Sequence, residues 1–183
     1  MHETRLRRLI LSRLALVAAS AAAFGCSDTG PIELARSDEP IQTDSLHYQL
    51  AFDGIGYHVK IPYIFTNRTG GTVYIVNCDG FFDLHLEHDD DSRSPAHSAW
   101  APVLDECLSG PIVIENNATF TDTLDLWGAA PGQNVDPEFD RADPSGIYRI
   151  VWDDALSSYQ DQLPFGSPIA RDARISNRFT LTR

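Results

Sequence analysis

The stretch from Tyr57 to Cys78, YHVKIPYIFTNRTGGTVYIVNC, sets the terms for the whole chain. Tyr57, Val59, Ile61, Tyr63 and Phe65 fall on one side of an extended backbone, and His58, Lys60, Pro62 and Thr66 on the other, with Ile64 as the exception. A half-buried strand has this period of two, because successive side chains point to opposite faces. Asn67-Arg68-Thr69-Gly70-Gly71 then supplies residues that tolerate positive φ in a reversal. Thr72 to Val76 returns as a segment rich in β-branched and aromatic residues. The pattern predicts a two-stranded hairpin. An isolated hairpin is marginal in water, so the rest of the chain must supply strands that cover its apolar face.

Further segments have the same character. Leu46, Tyr48 and Leu50 alternate with His47 and Gln49. Phe82, Leu84 and Leu86 alternate with Asp83, His85 and Glu87, as in a strand with one wet face. Trp100 to Leu104 reads as a short edge strand, where Pro102 is tolerated. Pro111 to Glu115, Thr119 to Trp127, Ile147 to Trp152 and Arg178 to Thr182 complete the set. Only Ala155 to Leu163 offers a helical turn or two, and no stretch sustains a 3.6-residue apolar period. Seven to nine short strands separated by turn residues predict an all-β fold, an antiparallel β-sandwich. A parallel sheet would need crossover helices, for which the chain has no segments.

The first residues follow a different logic. Arg5, Arg7, Arg8 and Arg13 precede a small and apolar run from Leu14 to Phe24, which Gly25-Cys26 closes. Basic, apolar and small-residue parts in that order predict an export signal over residues 1–25, and the run is short for a bilayer span. Ala23-Phe24-Gly25-Cys26 resembles the lipobox of bacterial lipoproteins, although Ala23 stands where Leu is usual and Phe24 is bulkier than the family's small residue. That resemblance implies cleavage before Cys26 and acylation of it, with several chains giving a stable membrane anchor. Ser27 directly after the cysteine implies the outer membrane in an organism that has one. Residues 26–44 (polar, with Pro31 and Pro40) then read as a tether of roughly 20 to 25 Å, and residues 45–183 as the folded domain.

With Cys26 given to lipid, Cys78 and Cys107 remain. They form a candidate disulfide in an oxidising compartment, the alternative being two separate buried thiols. The formal net charge is −12, and loss of residues 1–26 removes four Arg against one Glu. So acidic a chain is repelled by phosphate backbones, and no nucleic-acid partner is expected.

Asp143-Pro144-Ser145-Gly146-Ile147-Tyr148-Arg149-Ile150 resembles the Gly-x-Tyr-x-apolar signature of immunoglobulin-like domains, in which the Tyr hydroxyl ties a late strand to the preceding loop. Ile150 stands where antibody domains place a cysteine, so Cys78 and Cys107 are not that family's inter-sheet bridge. The layout from Ile64 to Leu181 is also similar to small bacterial Ig-like envelope domains, among them relatives of a proteinase-inhibitor family.

The richest polar cluster comprises Asp83, His85, Glu87, His88, Asp89, Asp90, Asp91 and His97. Imidazole with carboxylates suits Zn²⁺ and the acidic run suits Ca²⁺, which makes Asp83, His85, Glu87 and His88 the candidate ligands. Their spacing matches neither HExxH nor an EF-hand loop, and a solvated strand face followed by an acidic loop accounts for the same residues. No Gly-x-Ser-x-Gly elbow or phosphate-binding loop occurs, so no catalytic residue and no cofactor is expected. Three functions follow in order. The first is a non-catalytic binding or structural module of the envelope, anchored to the membrane and meeting an envelope protein partner. The second is a metal-binding or enzymatic domain built on the His85/His88/Asp cluster. The third is a proteinase-inhibitor-like domain presenting the segment Gln133 to Ser145.

Overall fold

The computed structural model describes residues 38–78, 80–89, 98–104, 109–159 and 166–183. Cys26, Cys107, His97 and the pair Asp90-Asp91 lie outside them. Within the described residues the strands are β1 (Ile41–Thr43), β2 (His47–Gln49), β3 (Ala51–Phe52), β4 (Gly56–Thr66), β5 (Val73–Ile75), β6 (Asn77–Cys78), β7 (Phe81–Phe82), β8 (Leu84–His88), β9 (Ser98–Trp100), β10 (Ile112–Ile114), β11 (Thr119–Ala129), β12 (Gly146–Trp152), β13 (Ala155–Leu156) and β14 (Phe179–Thr182). A 3₁₀ turn at Arg171–Ala173 is the sole helical element among the described residues. The fold is all-β, as the alternation predicts. Fourteen short segments appear among the described residues, because β1 and β13 arise in stretches not read as strands and single residues at Leu50, Val76 and Asp83 divide β2 from β3, β5 from β6 and β7 from β8.

One sheet is built on β4, with β1 and β3 on one edge and β11 on the other. A second runs β2-β14-β12-β8-β9, antiparallel except where β2 meets β14. A third joins β10, β5 and β13, and β6 pairs with β7. The first two meet through one core: Ile61, Tyr63 and Phe65 of β4 and Leu126 of β11 join Leu86 of β8 and Ile150 of β12 in a single buried cluster. Trp152 is its centre, its ring 4.7 Å from Phe65 and edge-on to Tyr63 at 6.0 Å. Each such side chain contributes about 1.5–3 kcal/mol by leaving water. Tyr148, also buried, donates its hydroxyl to the Pro144 carbonyl at 2.7 Å and fixes the loop before β12.

Three expectations are corrected. The predicted hairpin does not form: β4 pairs with β1, β3 and β11, whereas β5 pairs with β10 and β13. Both edges of β4 are occupied, so the chain leaves its sheet at Asn67. The buried Asn67 amide donates to the carbonyls of Gly71 and Ile114, both at 2.8 Å, and its oxygen accepts from the Thr69 backbone and hydroxyl. The same residue heads a glycosylation sequon, and its burial makes it a turn residue instead. The fold also begins before Ser45, because β1 lies in the stretch read as tether and buries Ile41 and Thr43 against β4. Finally, Ala155-Leu156 pairs with β5 as a strand, not a helical turn.

Candidate functional site

The acidic and histidine cluster resolves into ion pairs that tie the second sheet to the segment after β13. His85 and Glu87 share the outward face of β8, and that face is not wet. Glu87 is only 7 % exposed, because the 3₁₀ turn brings Arg171 over it as an ion-pair partner. His85 lies between two carboxylates, with Nδ1 2.6 Å from Asp153 and Nε2 3.0 Å from Glu87. Burial lowers its pKa, but the hydrogen bonds and charges of Asp153 and Glu87 outweigh that and raise it above the usual 6.5. Both ring nitrogens are thus engaged by carboxylates, which leaves neither directed at a metal. Asp83 is pushed up to about 6, first by burial and then by the charges of Asp154 and Asp153.

His88 belongs to a different set of contacts. Its ring packs on Tyr148 with centroids 4.5 Å apart, and Nε2 meets Asp140 at 3.1 Å. The candidate ligands therefore do not converge: Asp83 turns to Asp154, His85 to Asp153 and Glu87, and His88 to Asp140. Among the described residues, no group of three or more His, Cys, Asp or Glu is arranged to hold a metal. A cleft of about 610 Å³ beside them is lined by Glu39, Glu87, Asp89, Arg149 and Arg171. Its cations are spoken for: Arg149 binds Glu39 and Asp89, each at 3.3 Å, and Arg171 binds Glu87.

A second cavity, of about 410 Å³, has a different chemistry. It lies where the edge of the first sheet, β11, faces the β8–β9 edge of the second. Phe82, Leu84, Trp100 and Leu124 form its apolar lining, and among the described residues no basic side chain contributes. Phe81 and Val103 stand at its mouth, 65 % and 62 % exposed. Asp122 enters from β11 in the inward phase of the alternation, between Phe120 and Leu124. The Tyr63 hydroxyl donates to it at 3.3 Å, and burial followed by the Asp122 charge raises the Tyr63 pKa, so that proton is held. Trp100 closes one end by donating its indole N–H to the Trp127 carbonyl at 2.8 Å. A Cβ on Gly128 would approach Phe139 and Trp100 within 2.8 Å, so only glycine permits that closure.

Sequence reasoning did not single out this site, although it contains a signal: Asp122 occupies an apolar position of an alternating strand. Of the three tryptophans, Trp152 and Trp100 are buried and Trp127 is half-buried at the groove. Cys78 sits on β6, buried at 7 % exposure and not free, while Cys107 and the lipidation candidate Cys26 lie outside the described residues. The segment read as an inhibitory loop folds down: Phe139 is buried against Gly128, and Asp140 N–H donates to the Ala99 carbonyl at 2.9 Å. No family model, curated protein or solved structure matches this chain.

Proposed function

We propose that the protein is a non-catalytic binding module of the bacterial cell envelope, exported by residues 1–25, lipid-anchored at Cys26 and carrying an Ig-like β-sandwich. The observation that carries the binding role is the groove at the β11 edge, where apolar and aromatic side chains surround an inward carboxylate and exposed Phe81 and Val103 rim the opening. Such a combination of apolar lining and few polar groups suits recognition. The Ig-like assignment is supported by the Tyr148–Pro144 tie. The address rests on the lipobox resemblance, which suits presentation of a groove to an envelope partner.

A photo-crosslinking residue placed at Val103 in the intact protein, in its own cells, tests this reading. The expected result is one discrete envelope adduct that is absent when the same residue is placed at Val113, which is exposed on β10 away from the groove. Turnover of a substrate by the purified protein, abolished by one point substitution, would overturn the non-catalytic reading. The metal-binding alternative is not favoured, because His85 and His88 face different partners. The inhibitor alternative is not favoured either, because residues 137–140 are packed and hydrogen-bonded instead of presented.

A further inference from the structure

We infer that the occupant of this groove is an extended peptide with alternating apolar and basic residues, added as a strand to the open edge of β11; the inference rests on the binding reading above. The argument starts from backbone direction. Along β11, the Trp127 carbonyl accepts from Trp100, and both the N–H and C=O of Ala129 bond to the Pro137–Phe139 segment, so these groups face away from β4. At the other end, the Ala118 carbonyl accepts from Asn67 and faces toward β4. Antiparallel strands alternate in this way, so the N–H and C=O groups of Thr121, Thr123 and Asp125 also face away from β4. Among the described residues these three have no main-chain partner on that side, and β11 has no second neighbouring strand. A row of unpaired donors and acceptors is a template for another strand.

The cavity follows the same edge. Asp122, Thr123, Leu124 and Asp125 all line it, although they alternate between the two faces of β11. A cavity over one face would touch every second residue, so contact with four in a row places it along the edge itself. A strand seated there would point alternate side chains at Leu84, Trp100 and Leu124, which calls for apolar residues. Asp125, on the outward face of β11, and exposed Asp136 border the space with no cation among its described lining residues, although Lys60 lies 3.5 Å from Asp125, and this calls for basic residues in the outward phase. A second copy of the chain is the poorer occupant, because antiparallel pairing of two β11 edges about Thr123 sets Asp122 diagonally across from the like charge of its own copy.

Amide hydrogen exchange and calorimetry on the intact protein, with blocked nine-residue peptides as probes, test the proposal. One probe alternates Val with Lys, one alternates Val with Glu, and two are Val/Lys peptides N-methylated at one phase or the other. The Val/Lys peptide is expected to bind and to slow exchange at Thr121, Thr123 and Asp125. The Val/Glu peptide and one of the two methylated peptides should bind at least tenfold more weakly, because only one phase of peptide N–H groups faces β11. Asp125→Asn, on the outward face where the lysines lie, is expected to weaken Val/Lys binding only about two- to fivefold, because the carboxylate is exposed and shared with Lys60. Equal binding of both methylated peptides, or protection at the three amides that rises with protein concentration alone, would overturn strand addition. Binding of 2-phenylethylamine without binding of any peptide would also overturn it while sparing the groove as a ligand site. Silence with all these probes would count against the groove reading too.

Discussion

His85 is held by Asp153 and Glu87, and the sign of its shift fixes how stability depends on pH. A raised folded pKa means the contribution is complete below about 6.5, the unfolded value, and is lost as pH rises through the folded value. Asp83 acts in the same direction at lower pH. Its carboxyl is raised from 3.8 to about 6, so the fold favours the neutral form, and this contribution is lost as pH rises between those values. His85→Gln is expected to lower stability at pH 6 by about 2–3 kcal/mol and to flatten the decline above that pH, as urea denaturation at several pH values would measure. Asp83→Asn is expected to do little at pH 4 and to stabilise by roughly 1 kcal/mol at pH 8, after discounting for solvent screening. An unchanged pH profile in both variants would sink this account. The sequence reading identified these residues but misjudged their surroundings. Arg171, the residue that covers Glu87, is 84 positions away, and no local pattern predicts that contact.

Among the elements, alternation identified β4, β8, β11, β12 and β14, because each has one apolar face against the common core. Partnership was not legible, because a glycine-containing reversal between two apolar segments is compatible with a hairpin or with passage between sheets. Asn67 decides the outcome, through long-range bonds to β10 as well as bonds inside its own turn. Replacing it leaves the Gly71 and Ile114 carbonyls unsatisfied beside a buried site. Asn67→Ala is therefore expected to cost about 2–4 kcal/mol, whereas Asn117→Ala, at an exposed position, should cost less than about 1.5 kcal/mol. Denaturant midpoints of the two variants check the ranking, and a reversed order would return the turn to a local hairpin. The groove along β11 escaped for a related reason: a cavity belongs to two sheet edges at once, and alternation describes one strand at a time.

At the scale of the whole molecule, the cysteines connect the address to the fold. Cys26 precedes the domain, whereas Cys78 is buried on β6, whose partner β7 carries Phe81 to the groove mouth. If Cys107 is its disulfide partner, the bridge closes a loop that contains β7, β8 and β9, the strands that supply one wall of the groove. Closing a loop of that length stabilises by about 3–4 kcal/mol in the chain-entropy model, mainly by restricting the unfolded chain. The intact mass of the native protein is then expected to lack residues 1–25, to include acyl groups on Cys26, and to fall about 2 Da below the dithiol form. Replacing both Cys78 and Cys107 by Ala should destabilise by roughly 2–5 kcal/mol. It should also weaken Val/Lys peptide binding more than it disturbs the β4–β11 pairing, because the wall that loosens belongs to the second sheet. A dithiol mass with acylation intact would separate the two claims, leaving the anchor and removing the bridge.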